Sequence, residues 1–292
     1  MKQTLKNTWQ YYLLLLPALL LSMGVILVPA VMTVFASFTN WNGISIEMQF
    51  IGLRNYQELF ADKVFRQSLG NNFIWMFTFL IVPVAFGMIA AILLVRRRRS
   101  RSVYQVLFLL PYVIAPIANG LLWLNMIYNP VTGLFGFLKK TLGLAISSPL
   151  SQVHTALAGV AAVDIWHYWG FLAVVYLAAL RQTPNDQIEA AVVEGANGRQ
   201  LFRHVYFPNM LPTFKLMMIM IVIQSFLTFD YVYLLTKGGP AHATEMLSTL
   251  SYNYAFSMFQ FGKAAAVALI MSFFGLIASV FYVRLNRREE QA

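Results

Sequence analysis

The residues best suited to chemistry lie inside an apolar run. Asp164-Ile165-Trp166-His167-Tyr168-Trp169-Gly170-Phe171 interrupts a stretch of alanine, leucine and valine. At about 3.6 residues per helical turn, Asp164, His167, Tyr168 and Phe171 share one face, with Trp166 and Trp169 on adjoining faces. A carboxylate, an imidazole and a phenol can hydrogen-bond hydroxyl groups, and aromatic rings can stack on C–H faces. The combination suits a polyhydroxylated ligand such as a sugar. A second stripe follows at Gln224, Thr228 and Tyr231, with Asp230 beside it, and Asn119 stands alone in an earlier run. Blander roles compete: Asp164 paired with His167 one turn away, aromatics as membrane-interface anchors, and Asn or Gln bridging helices.

Reactive chemistry is poorly supported. The chain has no cysteine, so thiol nucleophiles, disulfides and Cys metal sites are excluded. Its histidines, at 154, 167, 204 and 242, belong to separate segments or lie too far apart to share an ion; His154 and His167 are roughly 20 Å apart along one helix. No nucleophile–base pair is evident. No Gly-x-x-x-x-Gly-Lys-Ser/Thr phosphate loop is present either. The chain is expected to be no enzyme, to hold no metal and to bind no cofactor of its own.

The elements that position these residues are set by composition. Of 292 residues, 59% are hydrophobic and 11% charged. A soluble domain carries about 25% charged residues, and a core of this size could not hide so much apolar surface. Six apolar runs are long enough to cross a bilayer: Tyr12–Phe38, Phe73–Val95, Val103–Tyr128, Val153–Leu180, Met210–Leu235 and Phe259–Val283. The first is too long for the apolar core of a signal peptide, so it is expected to remain as a span. The expectation is an all-α, polytopic membrane protein forming a single domain over 1–292. An ionisable group at mid-bilayer costs roughly 2.5–3.5 kcal/mol, which marks Asp164 for function; Asp230 lies nearer a span end and is cheaper to keep.

The net charge of +10 could suggest nucleic acid, but the distribution of Lys and Arg argues against it. Lys2, Lys6, Arg96, Arg97, Arg98, Arg99, Arg101, Arg181, Arg199, Arg203, Lys215, Arg284, Arg287 and Arg288 fall on one side of the six runs. Arg54, Lys63, Arg66, Lys139, Lys140, Lys237 and Lys263 fall on the other, half as many. The richer side is predicted to be cytoplasmic, with both termini there.

That orientation places the loop 181–209 inside. Thr183 is expected to cap a helix from Pro184 to about Glu194, with Pro184 at its first position. Gly195 is expected to end it, and Asn197 to cap a second short helix that stops before Pro208. Within this loop stand Glu189-Ala190-Ala191, Gly195 and Val205-Tyr206-Phe207-Pro208. Residues and spacing resemble the cytoplasmic signature of ABC-importer permeases, with Phe207 where the signature has leucine. The resemblance extends to Phe38-Thr39-Asn40-Trp41, Phe50-Ile51-Gly52-Leu53-Arg54-Asn55-Tyr56, Gly238-Gly239-Pro240, Ala243-Thr244-Glu245 and Phe261-Gly262-Lys263-Ala264-Ala265. These are similar to the maltose-type carbohydrate permeases, in particular to the first permease of a heterodimeric pair.

The resemblance implies a type I importer permease in a bacterial or archaeal inner membrane. It implies that Glu189, Ala190, Ala191, Gly195 and Pro208 belong to a coupling loop docked on an ATPase subunit. ATP and Mg would be held by a dimer of such subunits. The further partners implied are a second homologous permease, an extracytoplasmic binding protein, its sugar, and lipid. In such pairs the sugar site can belong to one permease alone. Two alternatives stay open: the same machine carrying a polyol or glycerol-phosphate-type cargo, and an ion-coupled secondary transporter using Asp164 as a relay.

Overall fold

The computed structural model describes residues 2–45, 47–95, 97, 99–143 and 147–290, with side chains from 12 to 284. Fourteen α-helices appear among them. They are α1 (Lys2–Ser22), α2 (Val28–Ser37), α3 (Arg54–Ala61), α4 (Lys63–Val95), α5 (Arg101–Val113), α6 (Pro116–Leu122), α7 (Leu134–Leu142), α8 (Ala156–Leu180), α9 (Asn185–Val193), α10 (Gly198–Leu201), α11 (Phe207–Leu227), α12 (Asp230–Leu235), α13 (Leu247–Tyr252) and α14 (Phe261–Glu290). The described residues contain no strand, only an isolated antiparallel bridge between Thr39 and Phe50. Five helical stretches are long and apolar enough to span a membrane, and a bent pair makes a sixth. Five of the six expected spans therefore appear as long apolar helical stretches, and the third corresponds to the bent pair. Arg96 and Arg98, used in the orientation argument, lie outside the described residues.

Two expected spans are not continuous. The third divides into α5 and α6, which meet at 93°. Pro116 has no amide hydrogen, and the residue before a proline avoids the helical region. Ile114 and Ala115 are extended accordingly, with ψ of 129° and 137°. The fifth span breaks at Thr228 and Phe229, between α11 and α12, where no proline or glycine is present. In lipid, irregular backbone persists only where it is buried in protein or lines a polar cavity.

The chain divides into two compact units, residues 1–62 with 251–270, and residues 63–250 with 271–292. In the first, the stretch Tyr12–Ser37 is apolar and its most hydrophobic window is wholly unburied. Polar groups order the segment that follows. Asn55 donates to the carbonyls of Ser37 and Thr39, both at 2.8 Å. Glu58 bridges Lys263 at 2.7 Å and Arg54 at 2.8 Å. Those two cations hold its carboxyl below the usual range, Lys263 contributing most.

In the second unit α8 is the hub, packed against α4, α5 and α11. Its alanines and glycines allow close helix approach, as membrane interfaces favour. Gly170 is the tightest case: a Cβ there would overlap the carbonyl oxygen of Phe108 on α5. Trp75, Leu172, Tyr176, Leu177, Met210 and Ile221 fill the core.

Candidate functional site

Both broken spans line one cavity of about 250 Å³. From α8 come Asp164, His167 and Tyr168. From α11, the break and α12 come Gln224, Thr228, Phe229, Asp230 and Tyr231. From α5 and the start of α6 come Tyr112 and Pro116, and from α4 Trp75 and Phe79. The two stripes read from the sequence thus face a common space. Asp164 is the ninth residue of α8, about 12 Å along it by helical rise.

The walls are rigidly built. Trp75 stacks on Phe79 at 4.9 Å and 12°. Tyr112 stacks on Phe171 at 4.6 Å and 16°, and meets the His167 ring at 5.1 Å. Tyr231 meets the other edge of His167 at 5.7 Å. The phenol of Tyr231 accepts a hydrogen bond from the side-chain amide of Asn119 at 2.8 Å. Asn119 is fully buried on α6 and its side-chain oxygen has no hydrogen-bond partner among the described residues. It stands behind Tyr231 and is not part of the lining. The expected Asp164–His167 pair is loose, with 3.8 Å from Nδ1 to Oδ1, beyond hydrogen-bond reach. The free carbonyl of Thr228 at the fifth-span break accepts from the Ser248 hydroxyl.

Trp166 is placed elsewhere. It packs on Trp123 and lines an apolar groove with Phe86, Phe108 and Trp169. Sequence reasoning missed Trp75, Phe79 and Tyr112. In the sequence they are aromatics within apolar runs, like many that merely face lipid. It also missed Asn71 and Asn72 on α4, an adjacent polar pair in an otherwise apolar stretch. Asn72 donates to the Ser225 carbonyl at 2.8 Å and accepts from the Leu247 amide at 2.9 Å. Asn71 donates to the carbonyls of Ala243 and Glu245 at 3.1 and 2.9 Å. The pair fixes the 236–249 loop behind the cavity. In that loop the buried Glu245 accepts from Thr249 at 2.7 Å and contacts His242 Nδ1 at 3.0 Å.

The loop 181–209 is a separate site with another character. α9 carries Glu189, Ala190 and Ala191, none of them buried, and Val193 is 88% exposed. Gly195 ends the helix with φ of +82°, as expected, and a Cβ there would meet no atom within 4 Å. Asn197 caps α10 through a capping box with Gln200, accepting from the amides of Arg199 and Gln200 at 3.1 and 3.0 Å.

Two local expectations are corrected. Thr183 is not a cap: the residue at the cap position is Pro184, and the Thr183 hydroxyl is buried with no hydrogen-bond partner among the described residues. The second short helix does not stop before Pro208. It widens into a π-turn over Phe202–Tyr206 and runs on into α11. The clash a proline makes with the carbonyl four residues back falls on His204, inside that widened turn, so the helix tolerates it.

Six apolar spans, a polar cavity at two backbone breaks and an exposed helical loop define a transporter permease subunit. Residues 83–291 match the binding-protein-dependent transport system inner membrane components, and the chain belongs to that family. It is accordingly a multi-pass inner membrane protein. Its relatives include the probable starch degradation products transport system permease protein AmyD of Thermoanaerobacterium thermosulfurigenes, 32% identical over 98% of this chain and 96% of that one. Another is the sn-glycerol-3-phosphate transport system permease protein UgpA of Agrobacterium fabrum, 28% identical over 94% and 93%. In fold the chain is similar to a subunit of a bacterial alginate ABC transporter solved with a pentasaccharide-bound periplasmic protein. The TM-score there is 0.86 at 21% identity, over 99% of this chain and 97% of that one.

Proposed function

We propose that this chain is the membrane-spanning half of an ATP-driven importer through which a sugar or oligosaccharide passes. An extracytoplasmic binding protein delivers the cargo, and a second homologous permease completes the path. A dimer of ATPase subunits, holding ATP and Mg, docks on loop 181–209 with Glu189, Ala190, Ala191, Gly195 and Pro208 in the contact. Both termini are cytoplasmic, and residues 1–292 act as one permease domain in a bacterial or archaeal membrane. ATP-driven closure below biases the bundle between outward-open and inward-open states, each stabilised by what binds it.

The observation that carries this reading is the cavity: carboxylates, Gln224, Thr228 and aromatic rings, gathered where two spans break. Hydroxyls can be matched by the first set and sugar faces by the second. The glycerol-phosphate permease among the relatives supports a second cargo. Against it, no Lys or Arg is among the cavity's lining residues to offset the charge of a phosphate.

Affinity purification of the tagged chain from its native host tests the reading. An ATPase, a second permease and a saccharide-loaded binding protein should accompany it, and reconstituted uptake should require ATP and survive an uncoupler. Uptake that collapses with the uncoupler while ATP remains would instead indicate an ion-coupled carrier.

A further inference from the structure

The two carboxylates of the cavity do more than offer hydrogen bonds. Asp164 and Asp230 border the same space of about 250 Å³. The Asp230 carboxylate has no hydrogen-bond or ion-pair partner among the described residues. Asp164 has only the loose contact to His167. No Lys or Arg lines the space to offset them. Trp75, Phe79, Tyr112, Tyr168, Phe229 and Tyr231 add aromatic rings to the walls, and ring faces carry partial negative charge that attracts cations and repels anions. Low-dielectric walls lined by one sign of charge focus that potential into the opening.

Resting on the reading of this cavity as the cargo path, we propose that it sorts saccharides by charge. It admits neutral units, prefers units bearing a protonated amine, and excludes units bearing a carboxylate or phosphate. Asp164 and Asp230 are the specificity-determining residues.

The absence of cysteine from the sequence supplies a clean test. Thr228→Cys places a single thiol of this chain in the cavity, and Gln224→Cys serves as a second position should the first disturb the break. Thr132→Cys, on an exposed loop, is the reference. The complete importer in proteoliposomes is treated with cationic and anionic thiosulfonate reagents of matched size, and labelling of this chain is followed by mass. The cation-to-anion rate ratio at the cavity positions should exceed that at the reference by about tenfold or more. In Asp164→Asn/Asp230→Asn it should fall to within about twofold of the reference. Protection of the cavity thiol from a neutral maleimide should then follow the order glucosamine, glucose, with none from glucuronate.

Equal rate ratios at cavity and reference, a ratio unmoved by the double substitution, or protection by glucuronate matching that by glucose would each overturn the charge filter. A charge ratio with no protection by any of the three hexoses would instead remove the reading of the cavity as a cargo path, and the filter for cargo with it.

Discussion

The cavity and the loop 181–209 are both polar regions of one unit, yet they are held in opposite ways. The cavity collects side chains from α4, α5, α8 and the α11–α12 break, far apart in sequence. Its rings brace one another and Asn119 and Asn72 support it from behind. The loop takes its polar groups from one contiguous stretch, leaves them exposed, and relies on its own capping box. A region assembled from distant segments can surround a small molecule. A region that supports itself and faces outward can be recognised by a protein surface. The difference predicts distinct failures when each is altered.

The largest effect is expected at Gly195. A Cβ there would meet no atom within 4 Å, so on the proposed docking any steric loss would fall on the partner. Left-handed backbone costs a non-glycine residue roughly 1 kcal/mol, and Asn tolerates it best. Gly195→Asp and Gly195→Asn should both leave the protein inserted at normal levels. Both should abolish co-purification of the ATPase and uptake. Normal uptake in the Asn variant would break the assignment of the loop as a docking surface.

Next is support behind the cavity against support within the loop. Asn72→Ala leaves the Leu247 amide and the Ser225 carbonyl without their partner in a buried setting, which should cost about 3 kcal/mol. Gln187→Ala removes an exposed 2.8 Å hydrogen bond to Asn209 and should change stability by under about 0.5 kcal/mol. Thermal unfolding of the purified protein compares them. Similar shifts for the two would show that the regions do not differ in rigidity.

Within the membrane, two tryptophans separate cavity from groove. Trp75 is 2% exposed and lines the cavity, whereas Trp166 lines the apolar groove. Trp75→Leu should raise the half-saturating cargo concentration about tenfold, a loss near 1.4 kcal/mol, and Trp166→Leu should leave it within about twofold. The reverse order would move the cargo path to the groove.

These contrasts follow how far each region is legible in the sequence. Spans are legible because lipid demands long apolar runs, and the loop motif because its residues are consecutive. The α5–α6 break carries a signal in Pro116 and the residue before it. The break at Thr228 and Phe229 carries none, since neither residue type opposes a helix strongly. The stripes on α8 and α11 are legible by spacing, but their convergence is not, because periodicity assigns a face without saying which other face it meets. For the same reason spacing alone groups Trp166 with Asp164 and does not single out Trp75, Phe79 and Tyr112. Asn71-Asn72 does carry a signal: two amides in an apolar run must find partners, whatever the fold.

The smallest effects concern the cap at Asn197 and the buried hydroxyl of Thr183, and they oppose each other. Thr183 has the residue type of a cap but lies one residue before the cap position, and its hydroxyl is buried with no hydrogen-bond partner among the described residues. Thr183→Val keeps the shape and removes a polar atom that has lost its water, so stability should stay level or rise by up to about 1 kcal/mol. Asn197 does cap, accepting from two amides, and Asn197→Ala should cost about 1 kcal/mol. α10 continues into α11 through the π-turn, and α11 carries Gln224 of the cavity lining. Asn197→Ala should therefore lower cargo-stimulated ATPase activity of the assembled importer more than it lowers ATPase binding. Thr183→Val should alter neither. A Thr183→Val variant less stable than Asn197→Ala would restore the threonine as the cap and return the loop to its sequence-based reading.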